Sequence, residues 1–311
     1  MSVHADIGGG PAAEPGRKTA LRRTARSQYA RETALRYLFL ACAFMAVMGV
    51  ALIFLFVGYR GFPIFSEVGL VDFLLGGTWL PTHGDFGILP LIFGSFAVTL
   101  GALAIGAPLA VATAVFLSEV AGPRVRAVVR PAVELLAGVP SVIYGFFGLV
   151  VLRPVIARMT DGLGFGLATG WIILAIMIVP TIAAISEDAL GSLPPGIREA
   201  AYSMGSTRWQ TISRVLLPAA KIGIIDAIIL GMGRAIGETM AVLMVIGNAP
   251  VIPEGIAKPF ATLTTTIVMD MAYASGDHRT ALFGMAVILF LISMLLVAAV
   301  RFVSRFGKQV G

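Results

Sequence analysis

Two residues of opposite charge, Arg234 and Glu238, interrupt the apolar run "IIDAIILGMGRAIGETMAVLMVIG". Counted from Pro218, they lie about 24 Å along a helix at roughly 1.5 Å of rise per residue, near or beyond the middle of a bilayer. A charge at that depth costs at least about 2.5–3.5 kcal/mol on insertion scales, so it faces a bundle interior or an aqueous path and marks a substrate route. Four positions apart on a helix, the two side chains share a face and can pair. The pattern supports two readings. In one, the pair is a buried ion pair that only fixes helix packing, although such pairs add little stability compared with apolar residues. In the other, the planar fork of the guanidinium takes the oxygens of an anion crossing the membrane.

Other chemistry finds little support. The glycines of "GMGRAIG" are spaced G-x-G-x-x-x-G with no strand before them, so the dinucleotide fingerprint fails. Small residues there let helices approach closely. No His or carboxylate cluster has metal-ligand spacing, and no nucleophile-base set is present, so neither a metal site nor catalytic residues are expected. The single cysteine, Cys42, lies in an apolar run, which rules out a disulfide within the chain and a cysteine-based zinc site. Asp226, eight residues before Arg234, either lines an inner path or snorkels to the interface. Glu134 and Arg153, near the ends of a span, read as interfacial anchors.

The elements that must position Arg234 and Glu238 follow from composition. Of 311 residues, 58% are hydrophobic and 13% charged, against a soluble average of about 45–50% and 25%. Apolar stretches recur at about 37–59, 88–118, 131–156, 166–186, 219–247 and 280–303, each long enough to span a bilayer. The first is too long for a signal-peptide core and no small-residue cleavage site follows it. An all-α integral membrane protein with six transmembrane helices over 37–305 is expected. A basic, disordered tail occupies 1–36, with Arg17, Lys18, Arg22, Arg23, Arg26, Arg31 and Arg36, and a short tail occupies 306–311. The net charge of +6 suits cytoplasmic loops better than nucleic acid. Arg and Lys collect at both termini and in the loops 119–130 and 188–218, which places those segments in the cytoplasm. The loops 60–86, 157–165 and 248–279 then face outward. The segment 262–274 is apolar enough to lie on a membrane surface, yet Asp270 interrupts it, and a lateral packing helix is expected.

The long polar interruption "IREAAYSMGSTRWQTISRVLLP" (197–218) is a helix, a glycine turn and a second helix. Pro194 and Pro195 suit a helix start, Gly205 a C-terminal cap, and Thr207 with Gln210 a capping box. A DNA-binding helix-turn-helix would have to reach a major groove while tethered at both ends to the bilayer, with only Arg208 and Arg214 for phosphates. A rigid cytoplasmic helix that inserts into a cleft on another protein fits better.

The residues of this loop resemble the EAA loop of ATP-binding-cassette importer permeases. Glu199, Ala200, Ala201, Gly205, Leu217 and Pro218 match, and Val215 stands where Ile is usual. The resemblance implies docking on an ATPase subunit, a fold like the type I (MetI-like) importer permeases with cytoplasmic coupling helices, and no enzyme activity in this chain. ATP and Mg would be used by the partner. The chain itself has no "GxxxxGK[ST]" and no cofactor of its own is expected.

Three further stretches, "GILPLIFGSFAVTLGALAIGAPLA" (87–110), "LLAGVPSVIYGFFGL" (135–149) and "GRAIGETMAVLMVIGN" (233–248), are similar to the phosphate-specific permeases of the PstC type. The likeness runs from about residue 37 to 305. It implies an inner-membrane subunit moving inorganic phosphate by ATP-driven alternating access, with a PstA-like second permease, two PstB-like ATP-binding subunits and a PstS-like extracytoplasmic phosphate-binding protein. It ties Arg234 and Glu238 to phosphate passage. Glu238 would hold Arg234 when phosphate is absent and keep the site weak enough to release it. A permease for sulfate, molybdate or phosphonate would share the loop with a different pore charge set. An ion-coupled secondary transporter would show inverted repeats and broken helices, and no convincing internal repeat is present.

Overall fold

The computed structural model describes residues 15–160 and 162–306. It divides into two compact units, one ending at Phe56 and the other running from Val57. Helix α1 (Pro15–Ile64) crosses that join. Of the tail expected to be disordered over 1–36, the part before Pro15 lies outside the described residues. From Pro15 onward the tail is helical, a correction with a local cause: Pro opens the helix and Ala, Arg, Leu and Glu, strong helix formers, continue it. Of the C-terminal tail only Phe306 is described, as the last helical residue.

The first unit is the N-terminal part of α1. In the second unit the end of α1 passes through a π-helical turn (Phe65–Gly69) into α2 (Leu70–Leu75). A small hairpin, β1 (Trp79–Leu80) with β2 (Asp85–Phe86), leads to α3 (Leu89–Val115). Then come α4 (Pro123–Gly138), α5 (Ser141–Phe147), α6 (Arg153–Thr160), α7 (Leu167–Gly191), α8 (Pro195–Ser203), α9 (Arg208–Thr211) and α10 (Leu217–Gly237). The chain ends with α11 (Met240–Val245), α12 (Leu263–Met271) and α13 (Gly276–Phe306).

Among the described residues six helical stretches are long and apolar enough to cross a membrane: Arg31–Leu75, Leu89–Val120, Ser141–Thr160, Leu167–Gly191, Arg208–Gly237 and Gly276–Ala299. Two of the expected spans are corrected. The run 131–156 is broken at Val139 and Pro140, both in extended conformation, and only α5 onward continues as a span. Steric conflict between a proline ring and the preceding residue disfavours helix at Val139. The run 219–247 breaks after Gly237, where Glu238 is extended (φ −70°, ψ 127°), and α11 starts afresh.

Helix α7 is the axis of the core, and small residues set its distance from its neighbours. A Cβ on Gly106 of α3 would lie 2.9 Å from the Ile178 side chain, and one on Gly231 of α10 would lie 2.5 Å from that of Ile182. Without a hydrophobic drive between helices in lipid, such close approach supplies the packing energy. Trp171 of α7 adds a hydrogen bond from its Nε1–H to the Ala97 carbonyl of α3, 2.8 Å. A second cluster packs Ile64, Phe73, Trp79, Phe86 and Ile88 against Leu282 and Met285. Helix α12 buries Leu263, Thr264, Thr265 and Thr266, and Asp270 accepts from Trp79 Nε1 at 3.2 Å. This stretch therefore packs laterally instead of lying on a surface.

Candidate functional site

The close seam between α7 and α10 delivers Arg234 to Thr181, which follows the buried Pro180 within α7. Arg234 Nη1 donates to Thr181 Oγ1 at 3.2 Å. Among the described residues no carboxylate lies within 4.0 Å of Arg234, so the expected ion pair with Glu238 is not formed. The physical reason is the break after Gly237: an i,i+4 pair needs a continuous helix, and the extended Glu238 points elsewhere. Its Oε1 accepts from the Ala241 backbone N–H at 3.2 Å, capping α11, and its carbonyl accepts from Thr264 Oγ1 at 3.2 Å. Glu238 is the joint between two half-helices.

The second interruption faces the first. Helix α5 packs on α11, where a Cβ on Gly145 would lie 2.9 Å from Ala241 Cα. Tyr144 of α5 donates its hydroxyl to the Leu136 carbonyl at 2.7 Å, bridging the Val139–Pro140 break. Broken helices at membrane depth are tolerated where the freed backbone is buried in protein or lines a cavity. Arg234, half-buried, sits in the last turn of α10 before its break, and among the described residues its partner is the neutral Thr181.

The loop 188–218 folds as its sequence signals. Gly205 adopts φ 78°, its N–H donates to Tyr202 O at 2.9 Å and the Ser206 N–H to Ala201 O at 3.2 Å. That bond pattern is a Schellman motif, and it requires a left-handed residue at Gly205. Thr207 and Gln210 form both bonds of the capping box. Ala201 is buried and Leu217 half-buried, while Glu199, Ala200, Gly205 and Pro218 are exposed. Tyr202, Met204 and Trp209 also stand exposed around the turn, Met204 at 88%. Large apolar side chains left in the open at a rigid turn mark a contact surface.

Arginines fasten this loop to the bundle. Arg198 donates to Glu119 at 2.6 and 3.3 Å and to the carbonyls of Leu190 (3.0 Å) and Leu193 (3.3 Å). The hydrogen bond with Glu119 raises the affinity of Arg198 for its proton above the ordinary guanidinium value. Arg208 donates to the Glu119 carbonyl. Glu187 of α7, only 2% exposed, is held by Arg126 at 2.7 Å and Arg130 at 3.5 Å. Sequence reasoning does not single out Glu119, Glu187, Thr181 or Tyr144. Glu187, a charge closing an apolar run, is the one of these with a visible signal. Asp226 is exposed on α10. Arg153 donates to the Leu163 carbonyl and stacks over Phe165 at 4.1 Å, as an anchor does. A cavity of about 620 Å³ is lined by Trp79, Phe86, Asp270, Tyr273 and His278, none of them a candidate residue.

The family model for the inner membrane component of binding-protein-dependent transport systems matches residues 106–307. The chain is 44% identical to the probable ABC transporter permease protein YqgH of Bacillus subtilis, over 88% of this chain and 91% of that protein. It is 37% identical to the phosphate transport system permease protein PstC of Mesorhizobium japonicum, over 83% and 84%. Among solved structures, a chain of a bacterial alginate ABC transporter, bound to its periplasmic protein with an alginate pentasaccharide, superposes with a TM-score of 0.63. That match has 18% identity and covers 89% of this chain and 97% of that one.

Proposed function

Because the chain belongs to the family of inner membrane components of binding-protein-dependent transport systems, we propose that it is the membrane-spanning permease subunit of an ATP-driven importer for inorganic phosphate. The substrate assignment draws on PstC relatives at 32–37% identity. Within this chain, one observation carries it: Arg234, a guanidinium on a membrane-spanning helix, has among the described residues a single partner, the neutral Thr181. A charge left without a carboxylate in that setting needs an anion or water, and the planar fork binds phosphate oxygens bidentately. Phosphate passes Arg234 during alternating access, and Glu238 belongs to the pathway as the joint at which α10 gives way to α11.

The loop 188–218 is the coupling element. Glu199, Ala200, Ala201 and Gly205 form the helix and turn that dock on an ATP-hydrolysing partner, and Leu217 and Pro218 begin the span that the docking moves. ATP is hydrolysed with Mg in that partner, and this chain is a translocation component. The assembly contains a homologous second permease (PstA-like), two ATP-binding subunits (PstB-like) and an extracytoplasmic phosphate-binding protein (PstS-like). The subunit lies in the cytoplasmic membrane with both termini and the coupling loop inside, as the Arg and Lys bias supports.

Uptake of labelled phosphate by proteoliposomes holding the co-purified complex tests the substrate. Excess unlabelled phosphate abolishes the signal and equal excesses of sulfate, molybdate and phosphonate leave it. Competition by one of those anions equal to that of phosphate would reassign the importer.

A further inference from the structure

We propose that Thr181 is a positioning residue for transport, aiming the Arg234 guanidinium at the passing oxyanion without neutralising it; this rests on Arg234 meeting phosphate. Thr181 Oγ1 takes one N–H of Nη1. A guanidinium carries five such donors in a fixed plane, and among the described residues nothing pairs with the edge formed by Nε and Nη2, the two parallel donors that an oxyanion accepts. A carboxylate in the place of Thr181 would compete with the anion for the same charge. A hydroxyl orients the plane and leaves the charge available.

Ser95, Thr113, Thr160 and Ser293 donate their hydroxyls to the carbonyl four residues back on their own helix. Among the described residues Thr181 makes no such bond, and its Oγ1 accepts from Arg234 of α10. Pro180 lies directly before it, buried inside α7, where the missing N–H and the ring loosen the helical ladder. On a helix threonine is confined to two χ1 rotamers, and the hydrogen bond from Arg234 selects the one that presents Oγ1 to α10. Nearby, the close approach of Gly231 to Ile182 fixes the distance the Arg234 side chain has to cover.

The test compares Thr181→Val, which keeps the shape and removes the hydroxyl, with Thr181→Ser, which keeps the hydroxyl. Both are made in the full complex with its binding protein and ATPase in proteoliposomes. Phosphate moved per ATP hydrolysed falls about tenfold in Thr181→Val, the factor carried by one hydrogen bond to a charged group. It stays within twofold of wild type in Thr181→Ser. Assembly, unfolding temperature and ATP hydrolysis stay unchanged in both, which a merely structural role would not give. If Thr181→Val does not assemble, Thr181→Ala provides the same reading. A wild-type ratio of phosphate to ATP in an assembled variant without the hydroxyl overturns the proposal. Arg234→Gln, run alongside, separates the two levels. Lost uptake there with normal Thr181→Val overturns only the positioning role, and normal uptake in Arg234→Gln overturns the anion-binding reading beneath it.

Discussion

Arg234 and Glu238 stand four positions apart in the sequence and do different work. A charged residue in an apolar run is visible without a structure, because nothing but a partner or a path offsets its cost. The partner was not visible, because helical periodicity carries the assumption that the helix continues. Thr181, fifty-three positions earlier, has no signal of its own in an apolar span. Independence of the two charges is measurable. Arg234→Gln and Glu238→Gln, singly and together, should change the unfolding free energy of the complex additively to within about 0.5 kcal/mol, as sites without a shared partner do. Glu238→Gln alone should be mild, since an amide carbonyl still accepts from the Ala241 N–H. A coupling above about 1.5 kcal/mol would reinstate a direct ion pair.

The loop 188–218 and the helix breaks show which elements a sequence states openly. Caps are local: Thr207, Gln210 and Gly205 lie within a few residues of the backbone groups they serve, and all three act where their types indicate. The break at Val139 carries a local signal too, in Pro140. The break at Glu238 has no proline. It is held by Thr264, from α12, and by a cap that forms only once the helix has ended. The same distinction gives a prediction for Gly205. A Cβ there meets nothing within 4 Å, so Gly205→Val is strained only by its φ of 78°. A β-branched residue in the left-handed region costs about 1–2 kcal/mol. The spans should stay folded while the turn shifts, and the complex should bind its ATPase several-fold more weakly in pull-down and hydrolyse ATP without matching uptake. Normal co-purification and normal uptake would show that the loop is not the coupling element.

Six membrane-length helices among the described residues are legible in the sequence because the bilayer sets a minimum apolar length for every span. The packing of α3 and α10 on α7 depends on glycines that face particular neighbours, and no single sequence reveals which neighbour. The loop charges predict the orientation. A tag in 188–218 should react only from the cytoplasmic side of oriented vesicles, and one in 60–86 only from the outside; reversed labelling would invert the topology. The claim that joins residue, element and molecule is that phosphate passes the Arg234 guanidinium of an ATP-driven permease. Its most direct test is labelled phosphate uptake by proteoliposomes containing the assembled Arg234→Gln complex. Loss of uptake, with subunit composition and unfolding temperature preserved, is the predicted result, because a neutral amide cannot replace the cationic fork. Uptake at the wild-type rate in that assembled complex would contradict it.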